Sequence, residues 1–123
     1  MSDIARSLSC PVLVLCIEEE RVTGDTLADA LRDEFLSLHE RTRVVHVIID
    51  MDRVRYISSA GLRPLLALGR LVREREGRVS LTGMTADVAM VFEATRLVST
   101  HGQTPATFER HDSVPAAVTA LYA

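Results

Sequence analysis

Two adjacent serines, Ser58 and Ser59, stand where a hydrophobic strand is predicted to give way to an amphipathic helix. The strand ends at Asp50, and Gly61-Leu62 opens the apolar helical pattern. A serine at a helix start can cap the helix by accepting a hydrogen bond from a free backbone N–H. The same position can carry a phosphate, because the free N–H groups and the helix dipole favour negative charge. The residues alone leave both roles open and favour the cap.

Catalysis or metal binding would need patterns of residues that this chain lacks. Asp50 and Asp52 lie two apart at a strand end, where paired acids can hold a metal, but we expect Asp50 to accept N–H bonds in its own loop and Asp52 to be solvated. The serines lack the Gly-x-Ser-x-Gly frame of a nucleophile elbow. The histidines are scattered without ligand spacing: His39, His46, His101 and His111. We therefore predict no catalytic residue, no metal ligand and no cofactor, and a protein that is not an enzyme.

The composition fits one globular domain and argues against several kinds of site. With 123 residues and 47% hydrophobic content, the chain can form a core without disulfides or metals, so we assign residues 1–123 to a single domain. A net charge of −3 without a basic block argues against nucleic acid as a partner. All 14 cationic residues are arginine, which removes the lysine that P-loop, Schiff-base and receiver-domain chemistry requires.

The cysteines and the longest apolar run bear on the expected compartment. Cys10 and Cys16 have no metal or redox spacing, and Cys16, inside an apolar run, is expected to be a buried small hydrophobe. That run, Val12–Ile17, is too short to span a bilayer. The first residues lack the basic start and apolar core of a secretory signal, so we expect a cytoplasmic protein with no membrane span.

Strand and helix patterns alternate along the chain and predict an α/β domain. An unbroken apolar run predicts a strand buried on both faces at Val12–Ile17. A second buried strand is predicted at Val44–Ile49 and a third strand at Arg78–Gly83. Shorter strands are candidates at Ile4–Leu8 and Thr107–Phe108. Four helices are predicted to begin near Thr26, Ser59, Thr85 and Ser113. The expected sheet is mixed and mostly parallel, with about four to five strands.

The second predicted helix carries a wide apolar face, and its N-terminus holds the serines. Helical spacing places these residues on the buried side: Leu62, Leu65, Leu66, Gly69 and Val72. Gly77 is predicted to end the helix with a positive φ. Pro64 has no N–H to donate to the carbonyl of Ala60, so we expect an irregular first turn.

The stretch around the serines resembles the signature of the STAS domain, which sulfate transporters and bacterial anti-sigma factor antagonists share. That signature is a hydrophobic strand ending in Asp, a short loop, and Ile-Asp-Ser-(Ser or Ala)-Gly-Leu opening a helix. Here Val47–Asp50 matches the strand end, and Val54–Leu62 matches the loop and the helix start. The likeness extends to the Gly77–Gly83 strand and to the helix around Val91-Phe92-Glu93, which is nearly the whole chain. It implies a single STAS-like α/β domain.

In antagonists of this family, the serine after the acid position is phosphorylated by an anti-sigma factor with a histidine-kinase-like ATPase fold and serine kinase activity. The resemblance therefore implies that Ser59 is the phospho-acceptor and that the unphosphorylated form binds the anti-sigma factor. It also implies that a metal-dependent serine phosphatase reverses the modification. At the position before the acceptor, where the family signature has an acidic residue, this chain has Ser58. Ser58 is therefore an alternative phosphorylation site. We expect a monomer or weak dimer.

The partner is expected to dock on the exposed surface beside the acceptor serine. Arg53 and the Thr23–Asp25 loop border this surface. The expected contact residues are Asp25, Asp50, Arg55, Ser58, Ser59, Ala60, Gly61 and Arg63. The resemblance carries this expectation, since the family's partner reaches the same serine.

Three alternatives stay open from the sequence. Stressosome-type STAS proteins assemble into large particles and often carry a phosphorylatable threonine on the third helix, where this chain has Ala89-Met90-Val91. A small STAS subunit of a lipid-transport ABC complex would bind an ATPase constitutively. A nucleotide-binding domain has the least support, because the chain has no lysine and no glycine-rich loop.

Overall fold

The computed structural model describes residues 12–42, 44–97 and 108–122, and strands and helices alternate through them. In chain order the elements are β1 (Val12–Cys16), β2 (Arg21–Val22), α1 (Asp25–Thr42), β3 (His46–Asp50), β4 (Tyr56–Ile57), α2 (Ser59–Glu74), β5 (Val79–Thr82), α3 (Ala86–Ala94), β6 (Glu109–His111) and α4 (Val114–Tyr122). The candidate strand at Ile4–Leu8 and residue Thr107 lie outside the described residues.

Four strands form the main sheet in the order β1-β3-β5-β6, and β2 pairs with β4 in a separate two-stranded sheet. All of these pairs are parallel. Parallel neighbours need a crossover, and α1, α2 and α3 supply the crossovers between successive strands of the main sheet. The α/β prediction is confirmed, with four main strands and four helices in the described part of the chain.

The two faces of the main sheet are covered by different helices. One face packs against α1, α2 and α3 in the larger core, a single cluster that contains Phe35, Leu65 and Phe92 together with strand residues such as Leu81. The other face packs against α4, whose Ala117 lies among Val12 and Ile48. Because side chains alternate along a strand, Val47 and Ile49 enter the larger core while Ile48 between them faces α4.

Strand β1 is only partly buried, which corrects the prediction of a strand buried on both faces. Among the strands that the structure describes it is an outermost strand of the main sheet, and Val14 is 43% exposed. Cys16 is exposed as well, so the prediction of a buried thiol is wrong. The apolar run predicts a strand correctly, but α4 covers only the Val12 end of its second face.

Helix α2 differs from prediction in two details along its length. Leu66 is 38% exposed, because the buried face is centred near Leu65 and the next residue lies about 100° further around the helix. The helix runs continuously through the buried Pro64, with Leu62 N donating to Ser58 O at 3.2 Å, so the expected irregular first turn is absent. Pro64 removes one intrahelical hydrogen bond, because it has no N–H, and its ring is buried.

The end of α2 also corrects the expected role of Gly77. The helix ends at Glu74, and it is Glu76 that takes the left-handed conformation, with φ 61°. A Cβ on Gly77 would stand 1.8 Å from the carbonyl oxygen of Val45. Glycine is required at position 77 for close backbone approach, and not for a positive φ.

Candidate functional site

Ser58 is the N-cap of α2, and its hydroxyl is engaged in the fold. Its backbone is extended, with φ −96° and ψ 174°, and its Oγ accepts a hydrogen bond from Gly61 N at 3.3 Å. Both its backbone N–H and its hydroxyl donate to the carbonyl oxygen of Val22, at 3.1 and 3.5 Å. Ser58 therefore holds the helix start against β2, as an N-cap serine does.

Ser59 is the first residue of α2 and is exposed to solvent. Among the described residues its hydroxyl has no hydrogen-bond partner, in contrast to that of Ser58. The prediction that Ser59 lies at or next to the cap is confirmed, and the cap itself is Ser58. The two serines therefore differ in their surroundings: the Ser58 hydroxyl caps the helix, and the Ser59 hydroxyl is exposed.

The small β2–β4 sheet positions this helix start, and sequence reasoning missed it. Arg21 pairs in register with Tyr56, and its guanidinium carbon lies 4.7 Å from the centre of the tyrosine ring, a cation–π contact. Tyr56 is 48% exposed, so the contact is on the surface. Two-residue strands have no detectable periodicity; the only available signal was the apolar Val22 and Ile57 after polar neighbours.

Gly61 is the point of closest contact between α2 and β2. A Cβ at this position would stand 2.3 Å from Val22 O and 2.9 Å from side-chain carbons of Val22 and Ile57. Ala60, between the exposed Ser59 and Gly61, is half-buried. The glycine of the serine-rich stretch is thus required by packing, and it places the two serines directly above the β2–β4 sheet.

An ion pair joins the start of α1 to α2 beside the serines. Arg63 Nη2 donates to Asp25 Oδ1, and the two side chains are 55% and 82% exposed. Asp25 is the first residue of α1, where a carboxylate also interacts favourably with the helix dipole. The structure therefore brings together six of the eight predicted contact positions, namely Asp25, Ser58, Ser59, Ala60, Gly61 and Arg63.

Asp50 and Arg55 take separate positions. Asp50 Oδ1 accepts a hydrogen bond from Asp52 N at 3.0 Å, which confirms the predicted loop role, and Asp52 is exposed. Arg55 is exposed and its backbone N–H donates to Glu20 O at 2.7 Å. Within the described residues, no hydrogen bond joins either of them to the serines.

Cys16 lies in register with Asp50 at the end of β1. Partial burial, and next the Asp50 carboxylate, raise the pKa of its thiol, while Arg53 opposes them. The thiol is therefore protonated near neutral pH and is a weak nucleophile. Residues 12–42, 44–97 and 108–122 contain no group of three or more His, Cys, Asp or Glu side chains placed to hold a metal ion.

The site offers an accessible hydroxyl at the positive end of a helix, with an exposed arginine, Arg63, four residues further along the same helix. No histidine or carboxylate of the described residues hydrogen-bonds to Ser59. Within the same residues, none of the helices has both the length and the apolar character that crossing a membrane requires.

Comparisons with known proteins agree with this architecture. The STAS domain family model matches residues 25–113. A protein of Bordetella bronchiseptica, BtrV, whose name of anti-sigma factor antagonist is itself provisional, is 35% identical over 88 residues, which is 72% of this chain and 73% of that protein.

Two solved structures share the fold. A Ser-to-Glu variant of RsbS from Moorella thermoacetica superposes with a TM-score of 0.70 at 19% identity, covering 94% of this chain and 96% of its own. The anti-sigma factor antagonist SpoIIAA in its unphosphorylated form gives a TM-score of 0.57 at 14% identity, covering 90% and 86%. The family model and the 35% identical relative, together with this α/β fold, show that the chain belongs to the STAS domain family.

Proposed function

We propose that this protein is an anti-sigma factor antagonist that binds a serine-kinase anti-sigma factor and is switched by phosphorylation of Ser59. The likeness to BtrV supports the regulatory class. The observation that carries the proposal is the difference between the two serines: the Ser58 hydroxyl caps α2, while the Ser59 hydroxyl is exposed and has no hydrogen-bond partner among the described residues. The protein itself performs no catalysis in this scheme, since the kinase supplies both the base and the nucleotide.

The modification is a phosphoryl transfer from ATP. The Ser59 oxygen forms a bond to the γ-phosphorus of ATP, the bond from that phosphorus to the β,γ-bridging oxygen breaks, and ADP leaves. The hydroxyl proton passes to a base on the kinase. The reverse step is hydrolysis of the phosphoserine by a metal-dependent serine phosphatase, which returns inorganic phosphate.

The fold accommodates this charge without rearrangement of the core. Ser59 is at the N-terminus of a 16-residue helix, whose free N–H groups and dipole favour a bound anion. Phosphorylation adds about −1.5 to −2 charges to the surface at neutral pH. A partner that fits the unmodified surface would lose affinity through repulsion and through the cost of desolvating the phosphate.

Ser58 occupies the position before the proposed phosphorylation site, where the family signature has an aspartate. Aspartate and serine are both good N-caps, so the bond to Gly61 N is kept at 3.3 Å. The substitution removes a negative charge from the residue before the acceptor. The Ser58 hydroxyl is half-buried and takes part in two hydrogen bonds, so it is less available to accept a phosphate than the hydroxyl of Ser59. This difference favours Ser59 over the alternative site.

A binding experiment tests this proposal. The unmodified protein, Ser59→Ala and Ser59→Glu are titrated against purified serine-kinase anti-sigma factors of the source bacterium by calorimetry. We expect one of these kinases to bind the unmodified protein and Ser59→Ala alike, and to bind Ser59→Glu at least about 10-fold more weakly, which corresponds to about 1.4 kcal/mol. Equal affinity for all three chains would contradict a switch at Ser59.

Size-exclusion chromatography of the unmodified protein separates the proposal from its main alternative. A stressosome-type scaffold or a subunit of a lipid-transport ABC complex would elute or co-purify as a large assembly, whatever residue stands at position 59. We expect a monomer or weak dimer that shifts only when the kinase is added.

A further inference from the structure

We propose that Arg63 is an internal phosphate receptor: when Ser59 is phosphorylated, the Arg63 guanidinium leaves the Asp25 carboxylate and binds the phosphate. This inference rests on the proposed function, because it takes Ser59 as the modified residue. It adds a defined rearrangement on the protein's own surface, in which one ion pair between α1 and α2 is exchanged for another within α2.

Ser59 and Arg63 are four residues apart on α2, and both are exposed. Residues at this spacing are neighbours on a helix surface, with Cβ atoms roughly 5–6 Å apart. Helical side chains lean toward the N-terminus, so an Arg63 side chain released from Asp25 can reach the turn that begins with Ser59. An anion at the earlier position and a cation four residues later is also the more favourable order of charges along a helix.

The present partner of Arg63 is held weakly. Only one oxygen of Asp25 contacts the guanidinium, and both side chains are more than half exposed. Exposed pairs of this kind contribute little to stability, because solvent screens both charges. A phosphate offers three oxygens and up to two charges, and it can accept two parallel N–H bonds from one guanidinium.

Asp25 keeps a favourable environment after the exchange. It is the first residue of α1, so the dipole of that helix still stabilises its carboxylate without Arg63. The exchange therefore costs little in α1 and gains a stronger pair in α2. Intramolecular capture of the phosphate is favoured further because the two groups are already held on the same helix.

The exchange changes the surface that a partner meets. In the unmodified chain, Asp25 and Arg63 form a neutral pair beside the serine. In the phosphorylated chain, the Asp25 carboxylate is uncovered next to a phosphate whose charge Arg63 only partly cancels. The partner would then face two anionic groups on two helices, so that Asp25 contributes to release although it is not itself modified.

The test uses a protein in which phosphoserine is incorporated at position 59 during translation, so that no kinase is required. The phosphoserine is titrated by phosphorus NMR in the parent chain, in Arg63→Gln and in Arg70→Gln. Arg70 is an exposed arginine on the same helix, and its position 11 residues from Ser59 is about 16 Å along the axis, so it controls for the loss of one charge. We expect the phosphate to lose its second proton at a higher pH in Arg63→Gln than in the other two chains.

The exchange itself is followed through the Nε–Hε signal of Arg63. Asp25→Asn should shift this signal in the unphosphorylated chain and leave it unchanged in the phosphorylated chain. Identical phosphate titrations in Arg63→Gln and Arg70→Gln overturn the phosphate contact. The exchange is overturned if Asp25→Asn leaves the Arg63 signal unchanged in the unphosphorylated chain. It is also overturned if Asp25→Asn shifts that signal in the phosphorylated chain.

These outcomes are separable from the fate of the proposed function. Because the phosphate is installed without a kinase, the exchange can be observed even if no kinase of the source bacterium modifies Ser59. Conversely, a kinase that releases phosphorylated Ser59 while Arg63 stays on Asp25 would keep the proposed function and eliminate the receptor role.

Discussion

Gly61 approaches the β2 backbone so closely that a Cβ on it would stand 2.3 Å from the carbonyl oxygen of Val22. That oxygen also accepts the N–H of Ser58 at 3.1 Å, so it cannot retreat without weakening the hydrogen bond that joins β2 to the start of α2. We expect Gly61→Ala to reduce the free energy of unfolding by about 1–3 kcal/mol, because an added methyl group must displace backbone. Urea denaturation followed by circular dichroism measures this change.

Gly24→Ala is the control for that substitution. Gly24 has φ 83° with no atom within 4 Å of an added Cβ, so its cost is backbone strain of about 1–2 kcal/mol without a clash. Amide NMR shifts distinguish the two variants: Gly61→Ala should move the signals of Gly61 and its neighbours at the start of α2 together with Val22 of β2, while the largest changes in Gly24→Ala should lie at the start of α1. A Gly61→Ala protein with unchanged shifts around Val22 would contradict the steric assignment.

The two serines should respond differently to loss of the hydroxyl. Ser58→Ala removes the N-cap bond to Gly61 N and should cost about 1 kcal/mol of folding free energy. Ser59→Ala removes an exposed hydroxyl without a partner in the described residues and should change stability by less than about 0.5 kcal/mol. Chemical denaturation of the two variants side by side checks this, and equal destabilisation would show that the cap is shared.

Sequence reasoning located the fold and the serine junction because their signals are long or chemically specific. The apolar runs of β1 and β3 and the helical stripe of α2 extend over several residues, and the Ser-Ser-Ala-Gly stretch matches a family signature. Caps such as Thr85, which accepts from Val88 N at 3.2 Å, depend on one residue and its neighbours and were also predictable.

The features that were missed depend on contacts between distant segments. An apolar run cannot indicate whether a strand is central or at an edge, so the exposure of Cys16 was unpredictable. The β2–β4 sheet is two residues long on each side and leaves no periodic trace. Gly77 is a glycine because Val45 approaches it, a reason that only the folded backbone provides.

His39 should make the protein less stable in mild acid. Its side chain is fully buried on α1, and neither ring nitrogen has a hydrogen-bond partner among the described residues. Burial, and next the Arg75 guanidinium, lower the pKa of His39 from its ordinary value of 6.5, and the backbone of Val44 and the Glu40 carboxylate only partly offset them. The unfolded chain therefore takes up a proton near pH 6.5 while the folded chain does not.

The sign follows from that difference in proton uptake. The contribution of neutral His39 is fully present above about pH 6.5 and is lost as the pH falls below it, with a slope of at most about 1.4 kcal/mol per pH unit for one proton. His46 has a lowered pKa with burial as its main cause, but it is only half-buried. Denaturant midpoints should fall less steeply between about pH 7 and 5.5 in His39→Leu than in His46→Gln. The reverse order would show that His46, and not His39, causes the loss of stability in acid.

The pair of Arg78 and Glu109 should stabilise the far edge of the sheet. Two nitrogens of Arg78 donate to Glu109, with Nη2–Oε1 at 2.6 Å, and they join the segment before β5 to β6. Both side chains are partly exposed, so we expect Glu109→Gln to cost about 1 kcal/mol at neutral pH. Glu40→Gln is the matched control, because its contact with Arg75 is longer, 3.4 Å, and more exposed, and it should cost less than about 0.5 kcal/mol.

The pH dependence of Glu109→Gln provides a second check. Burial alone would raise the pKa of Glu109, but the hydrogen bonds and charges of Arg78 and His111 lower it overall from 4.5. Its contribution is therefore present above about pH 4.5 and is lost as the pH falls below it. The difference in stability between the parent chain and Glu109→Gln should shrink as the pH falls from 5 toward 3, and a constant difference would contradict the ion pair.

The most direct measurement is the mapping of the phosphorylated residue. The parent chain, Ser58→Ala and Ser59→Ala are incubated with ATP and the anti-sigma factor kinase that binds the unmodified protein, and the products are analysed by mass spectrometry. We predict one phosphate on Ser59 in the parent chain and in Ser58→Ala, and none in Ser59→Ala. Equal labelling of Ser58→Ala and Ser59→Ala, or labelling that depends on Ser58 alone, would contradict the assignment of the switch to Ser59.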